Sequence, residues 1–238
     1  MISFHAAGLS VPNPDGSDDD TVILAPVSLD LRESRVAVIG ANGSGKSTLL
    51  RLINGLARPS TGRVVVDGKD VARDVAAVRR RVAFLFSDPL SQLVMPLVRE
   101  DVELSLKPTL KNKVRRRQAA MDHLDSMDLA HLADRSVHDL SGGERQLVAL
   151  TSVLAAGQDI LVADEPTTLL DLRNNILLQD TLFALDQQII YATHDLDFAA
   201  RADRVLVVEG GHIVHDGTPC EAIEHYRQLA LSASREGS

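Results

Sequence analysis

Short blocks of branched apolar residues alternate with stretches of helical spacing at both ends of the chain, whereas only helical spacing fills its middle. Arg35-Val36-Ala37-Val38-Ile39 is the kind of run that forms a strand buried on both faces. A glycine-rich turn follows. Thr48-Leu49-Leu50-Arg51-Leu52-Ile53 then carries an apolar stripe on good helix formers and predicts a helix to about Leu56. Pro59-Ser60-Thr61-Gly62 reads as a turn, Arg63–Gly68 as a strand closed by Asp67-Gly68, and Val75–Arg81 as helical. Val82-Ala83-Phe84-Leu85-Phe86 predicts a further buried strand, broken by Ser87-Asp88-Pro89. From Val98 to Ala156 no strand pattern occurs. Strands return at Asp159–Ala163 and Gln188–Thr193, separated by a helix near Asn175–Leu185. Arg204–Val208 and His212–Val214 read as a terminal hairpin about Glu209-Gly210-Gly211, and residues 1–33 as short strands around the turn-rich loop Pro12–Asp20. The pattern predicts one α/β domain with a parallel-sheet core, residues 1–87 and 158–238, into which a helical block, residues 88–157, is inserted.

Composition narrows the setting. A net charge of −8 over 238 residues argues against general affinity for nucleic acid, which depends on neutralising phosphates with Lys and Arg. The single cysteine, Cys220, excludes an internal disulfide and suits a reducing compartment. No N-terminal signal is visible, and no apolar run approaches the roughly 18 residues that cross a bilayer, so a membrane role would be played from the side. The basic runs Arg79–Arg81 and Lys111–Arg117 read as solvated helix faces. His212 and His215 would point to opposite faces of a strand, which excludes a metal pair there.

The turn after the first buried strand, Gly40-Ala41-Asn42-Gly43-Ser44-Gly45-Lys46-Ser47-Thr48, fits G-x-x-x-x-G-K-[ST] between a strand and a helix. Its glycines let successive backbone N–H groups point inward as an anion nest at the positive end of a helix. Lys46 can reach the β- and γ-phosphates of a nucleotide, and the Ser47 hydroxyl can ligate Mg²⁺. Asp164 and Glu165 follow a buried strand, at the sheet edge where ligands of open α/β folds collect. Adjacent acids on an extended chain point apart, which suits Asp164 to the Mg²⁺ water shell and Glu165 to orienting and deprotonating the attacking water. His194, directly after the next strand and ahead of Asp195, would contact the γ-phosphate. A second anion site lies in Leu140-Ser141-Gly142-Gly143-Glu144-Arg145-Gln146, where Ser141 is a natural N-cap and the paired glycines bare the helix N–H groups. Its distance in sequence from Lys46 suggests that each site serves a different subunit's nucleotide.

Together the phosphate loop, Leu140–Gln146, Leu161-Val162-Ala163-Asp164-Glu165-Pro166 and Thr193-His194-Asp195 resemble the ATPase of an ABC transporter, over nearly the whole chain. The resemblance implies the P-loop NTPase (RecA-like) core with a small antiparallel β subdomain and an inserted helical subdomain. It also implies a head-to-tail dimer, here a homodimer with two complete sites or a heterodimer, that sandwiches two ATP molecules. In it the phosphate loop of one subunit faces Ser141, Gly142, Gly143 and Glu144 of the other. Thr48 would support the α-phosphate, and Asp171 would occupy the D-loop position linking the two sites.

Within that family, Ser87–Pro96 followed by Glu100-Asp101-Val102 resembles the ATPases of energy-coupling-factor importers, whose motif places a second glutamine, here Gln92, near the surface that couples to the membrane subunit. Among them the ATPases of bacterial biotin transporters look most similar. A cobalt or nickel importer of the same type, or a soluble ABC-type ATPase, is the alternative. The implied partners are a transmembrane coupling subunit and a substrate-binding membrane subunit, with the chain peripheral on the cytoplasmic face. Three positions depart from the family pattern. Ser87 stands where the Q-loop glutamine is expected, Glu144 stands for the usual signature glutamine, and Val11 falls where an aromatic would stack on adenine.

Overall fold

The computed structural model describes residues 1–13 and 20–236. Residues 14–19, most of the predicted Pro12–Asp20 loop, lie outside the described part. Two compact units form, one from residues 1–82 and those from Gln188 onward, the other from residues 83–187.

In the first unit, β1 (Ile2–Val11) and β2 (Thr21–Leu31) are long strands, not the short ones expected of residues 1–33. They pair antiparallel from Ile2↔Leu31 to Val11↔Thr21, with register shifts along the ladder. β3 (Arg35–Ile39) leads through the glycine-rich turn into α1 (Lys46–Ile53), which begins two residues earlier than the apolar stripe suggests and stops at Ile53. β4 (Thr61–Val66) ends before the Asp67-Gly68 turn, after which come β5 (Lys69–Asp70) and the single turn α2 (Val75–Val78). An antiparallel sheet runs β2-β1-β4-β5.

The second unit opens with β6 (Val82–Leu85) and continues as α3 (Val98–Leu106), α4 (Lys113–Ser126) and α5 (Gly142–Leu154). β7 (Ile160–Asp164), neighbour of β6, and α6 (Leu172–Ala184) complete it. Arg99, nearly buried on α3, lies with Nη1 2.7 Å from Glu103 one turn on and Nη2 2.9 Å from Asp134, tying α3 to the segment between α4 and α5. The side chain of Asp101 accepts from the backbone N–H of Val94 and of Met95, pinning the segment that leads into α3.

The chain returns to the first unit as β8 (Gln188–Ala192), α7 (Leu196–Ala199), β9 (Arg204–Glu209) and β10 (His212–Gly217), followed by α8 (Pro219–Glu236). Within this unit the strand order is β10-β9-β3-β8. β3 runs parallel to both β8 and β9, and β9 and β10 form the expected antiparallel hairpin. Val36–Ile39 are wholly buried, as continuous apolar strands of a parallel sheet must be. α8 is absent from the sequence expectation, which ended in the hairpin. Arg204 secures the sheet edge: its guanidinium bonds Asp216 through two nitrogens at 2.6 Å and donates to the Asp30 carbonyl at 2.7 Å.

Candidate functional site

The phosphate loop is held from both sides by backbone. β3 ends at Ile39, and Gly40 turns away with φ of 151°, a conformation that L side chains rarely adopt. A Cβ there would also collide with the Val208 carbonyl of β9, so only glycine fits. Farther along, the Gly211 N–H donates to the Ser44 carbonyl at 2.9 Å, and the Gly211 carbonyl accepts from Ala25 N–H at 2.8 Å. The turn of the β9–β10 hairpin is therefore a strut between β2 and the phosphate loop. Ile23 and Gly43–Thr48 line a cavity of about 290 Å³. Lys46 is buried, its ammonium donating to the Gly40 and Ala41 carbonyls at 2.9 Å each. Ser44 Oγ is buried with no hydrogen-bond partner among the described residues. An unsatisfied buried hydroxyl just ahead of a helix start fits a ligand that brings acceptor oxygens, as a polyphosphate does. Ser47 and Thr48 are half-buried on the first turn of α1, beside Lys46.

His194 shares that sheet edge. Val38 of β3 pairs with Ala192 of β8 in parallel register, so Gly40 and His194 each lie two residues beyond a paired position. Thr193 extends the ladder by donating its N–H to the Val38 carbonyl at 3.1 Å. Its hydroxyl accepts from Asp195 N–H at 3.0 Å, and Asp195 caps α7 by accepting from Asp197 and Phe198 N–H. The chain is thus fixed on both sides of His194.

The remaining expected residues belong to the second unit. Asp164 is the last residue of β7 and is buried, one position inside the strand rather than after it. Glu165 has φ of 48°, left-handed for a residue that is not glycine. Such strain costs about 1–3 kcal/mol and recurs at functional sites. Thr168 Oγ1 donates to Glu165 Oε2 at 2.9 Å, orienting the carboxylate.

Ser141 caps α5 in a full capping box. Its Oγ accepts from Glu144 N–H at 3.3 Å, while Glu144 Oε2 accepts from Ser141 N–H at 2.8 Å and from its hydroxyl at 2.7 Å. Those Ser141 donors, side chain first, hold the Glu144 carboxyl below the usual carboxylate range. Asp171 caps α6, accepting from Asn174 N–H at 2.8 Å and Asn174 Nδ2 at 3.1 Å. A Cβ on Gly143 would overlap the Asn174 side chain, so the starts of α5 and α6 can abut only because Gly143 has none. The sequence places Ser141 and Asp171 thirty residues apart, and the fold of this unit makes them neighbours through Asn174.

Ser87 follows a residue, Phe86, whose backbone two glutamines grip. Phe86 N–H donates to Gln92 Oε1 at 3.2 Å, and the Phe86 carbonyl accepts from Gln146 Nε2 at 3.2 Å. Gln92 Nε2 reaches on to the Ala149 carbonyl of α5 at 3.0 Å. Sequence reasoning selected Gln92 but missed Gln146, which is almost fully buried on α5. A buried glutamine within an otherwise amphipathic helix was the available signal.

For Mg²⁺ the chain offers hard oxygen donors, the Ser47 hydroxyl and the Asp164 carboxylate. Among the described residues no three His, Cys, Asp or Glu side chains converge as a metal cage. Single hard oxygens of this kind, one in each unit, suit a cation that takes most of its ligands from phosphates and water.

A family model described as ABC transporter matches residues 24–168. The biotin transport ATP-binding protein BioM of Rhizobium etli is 42% identical over 229 residues, 96% of this chain and 99% of that one. The solved structure of cbiO1 from Clostridium perfringens, described as part of the ABC transporter complex cbiONQ, superposes with a TM-score of 0.79 at 30% identity, covering 100% of this chain and 97% of that one. The ATP-binding cassette MJ0796, solved as a dimer bound to ADP and Pi, has a TM-score of 0.79 at 26% identity, covering 92% and 99%. A parallel core carrying a phosphate loop, an antiparallel sheet and a helical block is the shared architecture. On the strength of the matched family model, the identity and the superposed fold, this chain belongs to the ABC transporter family, as an ATPase that couples ATP hydrolysis to transport.

Proposed function

We propose that the chain is the ATPase subunit of an energy-coupling-factor importer, peripheral on the cytoplasmic face of the membrane, that moves biotin by ATP-driven closure of a head-to-tail homodimer. What supports the dimer is that the two segments suited to an anion lie in separate compact units. The cradle of Gly40–Thr48 lies in one, and the capped start of α5, Ser141–Glu144, in the other. The importer type is supported by the match to BioM over nearly all of both chains. The resemblance of Ser87–Pro96, with its glutamine Gln92, to that group supports the same reading.

Phosphoryl transfer to water passes through a loose transition state, so catalysis is mostly positioning and charge stabilisation. Lys46 and the backbone N–H groups of the loop hold the β- and γ-phosphates. Ser47, and Asp164 through water, would hold Mg²⁺, which when bound would neutralise charge on those phosphates. Glu165 accepts a proton from the attacking water, and Thr168 keeps its carboxylate aimed. His194 positions the γ-phosphate from the β8 edge. The partner's α5 N-terminus supplies donors on the far side when the dimer closes. Loss of the γ-phosphate removes what bridges the halves.

Because the Ser141 hydroxyl already donates to Glu144, closure has to turn it from its own cap toward phosphate. Glu144 then remains as the acceptor for the Ser141 N–H, so the helix start keeps half its box. Glu165→Gln should bind ATP, form a dimer stable to gel filtration and hydrolyse next to nothing. Brisk turnover by that variant would remove Glu165 as the base. ATP hydrolysis at full specific rate in dilute monomer would overturn the shared site. Uptake of labelled biotin by cells carrying the chain with its membrane subunits tests the substrate. Uptake of Co²⁺ or Ni²⁺ in place of biotin would favour a metal-ion importer of the same type.

A further inference from the structure

The turn between α3 and α4 concentrates positive charge in an otherwise acidic protein. From Leu104 to Met121 there are six basic residues and no acidic one, against a net charge of −8 for the whole chain. Two of the six are used within the fold. Arg116 Nη1 donates to the Leu110 carbonyl at 3.0 Å and its Nε lies 3.9 Å from Glu103, while Arg117 acts on Asp134. The other four, Lys107, Lys111, Lys113 and Arg115, are exposed, and their side chains have no hydrogen-bond or ion-pair partner among the described residues. In their midst Val114 is 79% exposed.

These positions are held by backbone. Leu110 N–H bonds the Leu106 carbonyl at 2.8 Å, and Asn112 caps α4 by accepting from Arg115 N–H at 3.0 Å. The cations are therefore displayed on a firm turn rather than a trailing tail. Apart from Lys107 at the end of α3, the fold gains nothing by collecting them, since Lys113 and Arg115 stand in the first turn of α4, where positive charge opposes the helix dipole.

We propose that this turn docks on the anionic surface of a phospholipid bilayer, with the four cations among headgroup phosphates and Val114 at the boundary of the acyl region. The inference rests on the reading of the chain as a peripheral membrane ATPase. No helix of the described residues is long and apolar enough to cross a membrane, so attachment has to use surface groups or partner subunits. An exposed apolar residue ringed by unpaired cations complements a surface that is anionic outside and apolar beneath. An acidic peptide would satisfy the charge and leave Val114 in water. Each cation near an anionic leaflet strengthens binding about fivefold, and salt screens the attraction within a Debye length.

Sedimentation of the full chain with vesicles of phosphatidylcholine, with and without phosphatidylglycerol, tests this. It is run at low and high salt beside the variant carrying Lys107→Gln, Lys111→Gln, Lys113→Gln and Arg115→Gln, with ATP affinity measured on the same preparations. Binding should require phosphatidylglycerol, vanish at high salt, and weaken by about two to three orders of magnitude in the variant. ATP affinity should stay unchanged. Equal binding to both vesicle types, undiminished binding by the variant, or no sedimentation of the wild type overturns the proposal. So does capture by polyglutamate in preference to vesicles, which would assign the turn to an acidic protein surface. Loss of ATP affinity in the variant overturns it too, since the cations would then serve the fold. Vesicle binding lost while Glu165→Gln still dimerises with ATP would sink only the lipid contact and leave the ATPase reading standing.

Discussion

Gln92→Leu tests whether the Phe86 peptide is anchored as the structure shows. The side chain makes two hydrogen bonds, accepting from Phe86 N–H at 3.2 Å and donating to the Ala149 carbonyl at 3.0 Å. Leucine keeps comparable bulk and removes both. At about 1 kcal/mol each, the loss is about 2 kcal/mol, and an unsatisfied Phe86 N–H would add to it. In a chain of this length that corresponds to a fall in Tm of about 4–8 °C. Gln146→Leu removes the bond to the Phe86 carbonyl, and in the double variant the two losses should not add, because both side chains hold the backbone of the same residue, one on each of its flanking peptide groups. Once Gln92 has let go of Phe86, the second release should cost measurably less than it does in the wild type. Calorimetric unfolding of the wild type, both single variants and the double variant gives the coupling directly. ATP affinity, read in parallel, should be unaffected because the phosphate loop belongs to the other unit. Gln92→Glu adds a discriminating control. It retains the acceptor for Phe86 N–H but loses the donor to Ala149, so it should fall between wild type and Gln92→Leu. Strict additivity, or a single variant with an unchanged Tm, would refute the clamp.

Two further outcomes follow from the same unit. Thr168→Val deletes the bond that aims Glu165 and should lower kcat about tenfold with ATP affinity intact, as read by steady-state ATPase and nucleotide titration; an unchanged kcat would show that Glu165 is aimed by other means. Glu144→Ala removes half of the capping box and should cost about 1 kcal/mol at neutral pH, seen as a lower Tm. The Glu144 pKa is depressed in the folded state, so its contribution is complete above the ordinary carboxylate range and fades as pH falls through the lowered folded value. The Tm difference between wild type and Glu144→Ala should therefore shrink in acid, and a difference that grew there would contradict the assignment.

The sequence alone determined the local chemistry of this protein: the nine-residue phosphate loop, Ser141 at a helix start, the carboxylates after Val162-Ala163, and His194 beyond a strand. Each is a short segment whose backbone form follows from its own residue types, glycines where the turn needs them and capping side chains where a helix begins. The order of those segments carried the family as well. Even α8 left a readable trace, with Pro219 at its first position and Ala222, Ile223 and Tyr226 at helical spacing. What only tertiary structure decided are the supports. Gly211 braces Ser44 through a backbone N–H, and Phe86 is gripped by Gln146 sixty residues away. His215 stacks on His225 with ring centroids 5.0 Å apart, a pairing that strand spacing does not disclose. In the first two contacts at least one partner is a peptide group, identical at every residue, so no residue type announces where the bond will be made.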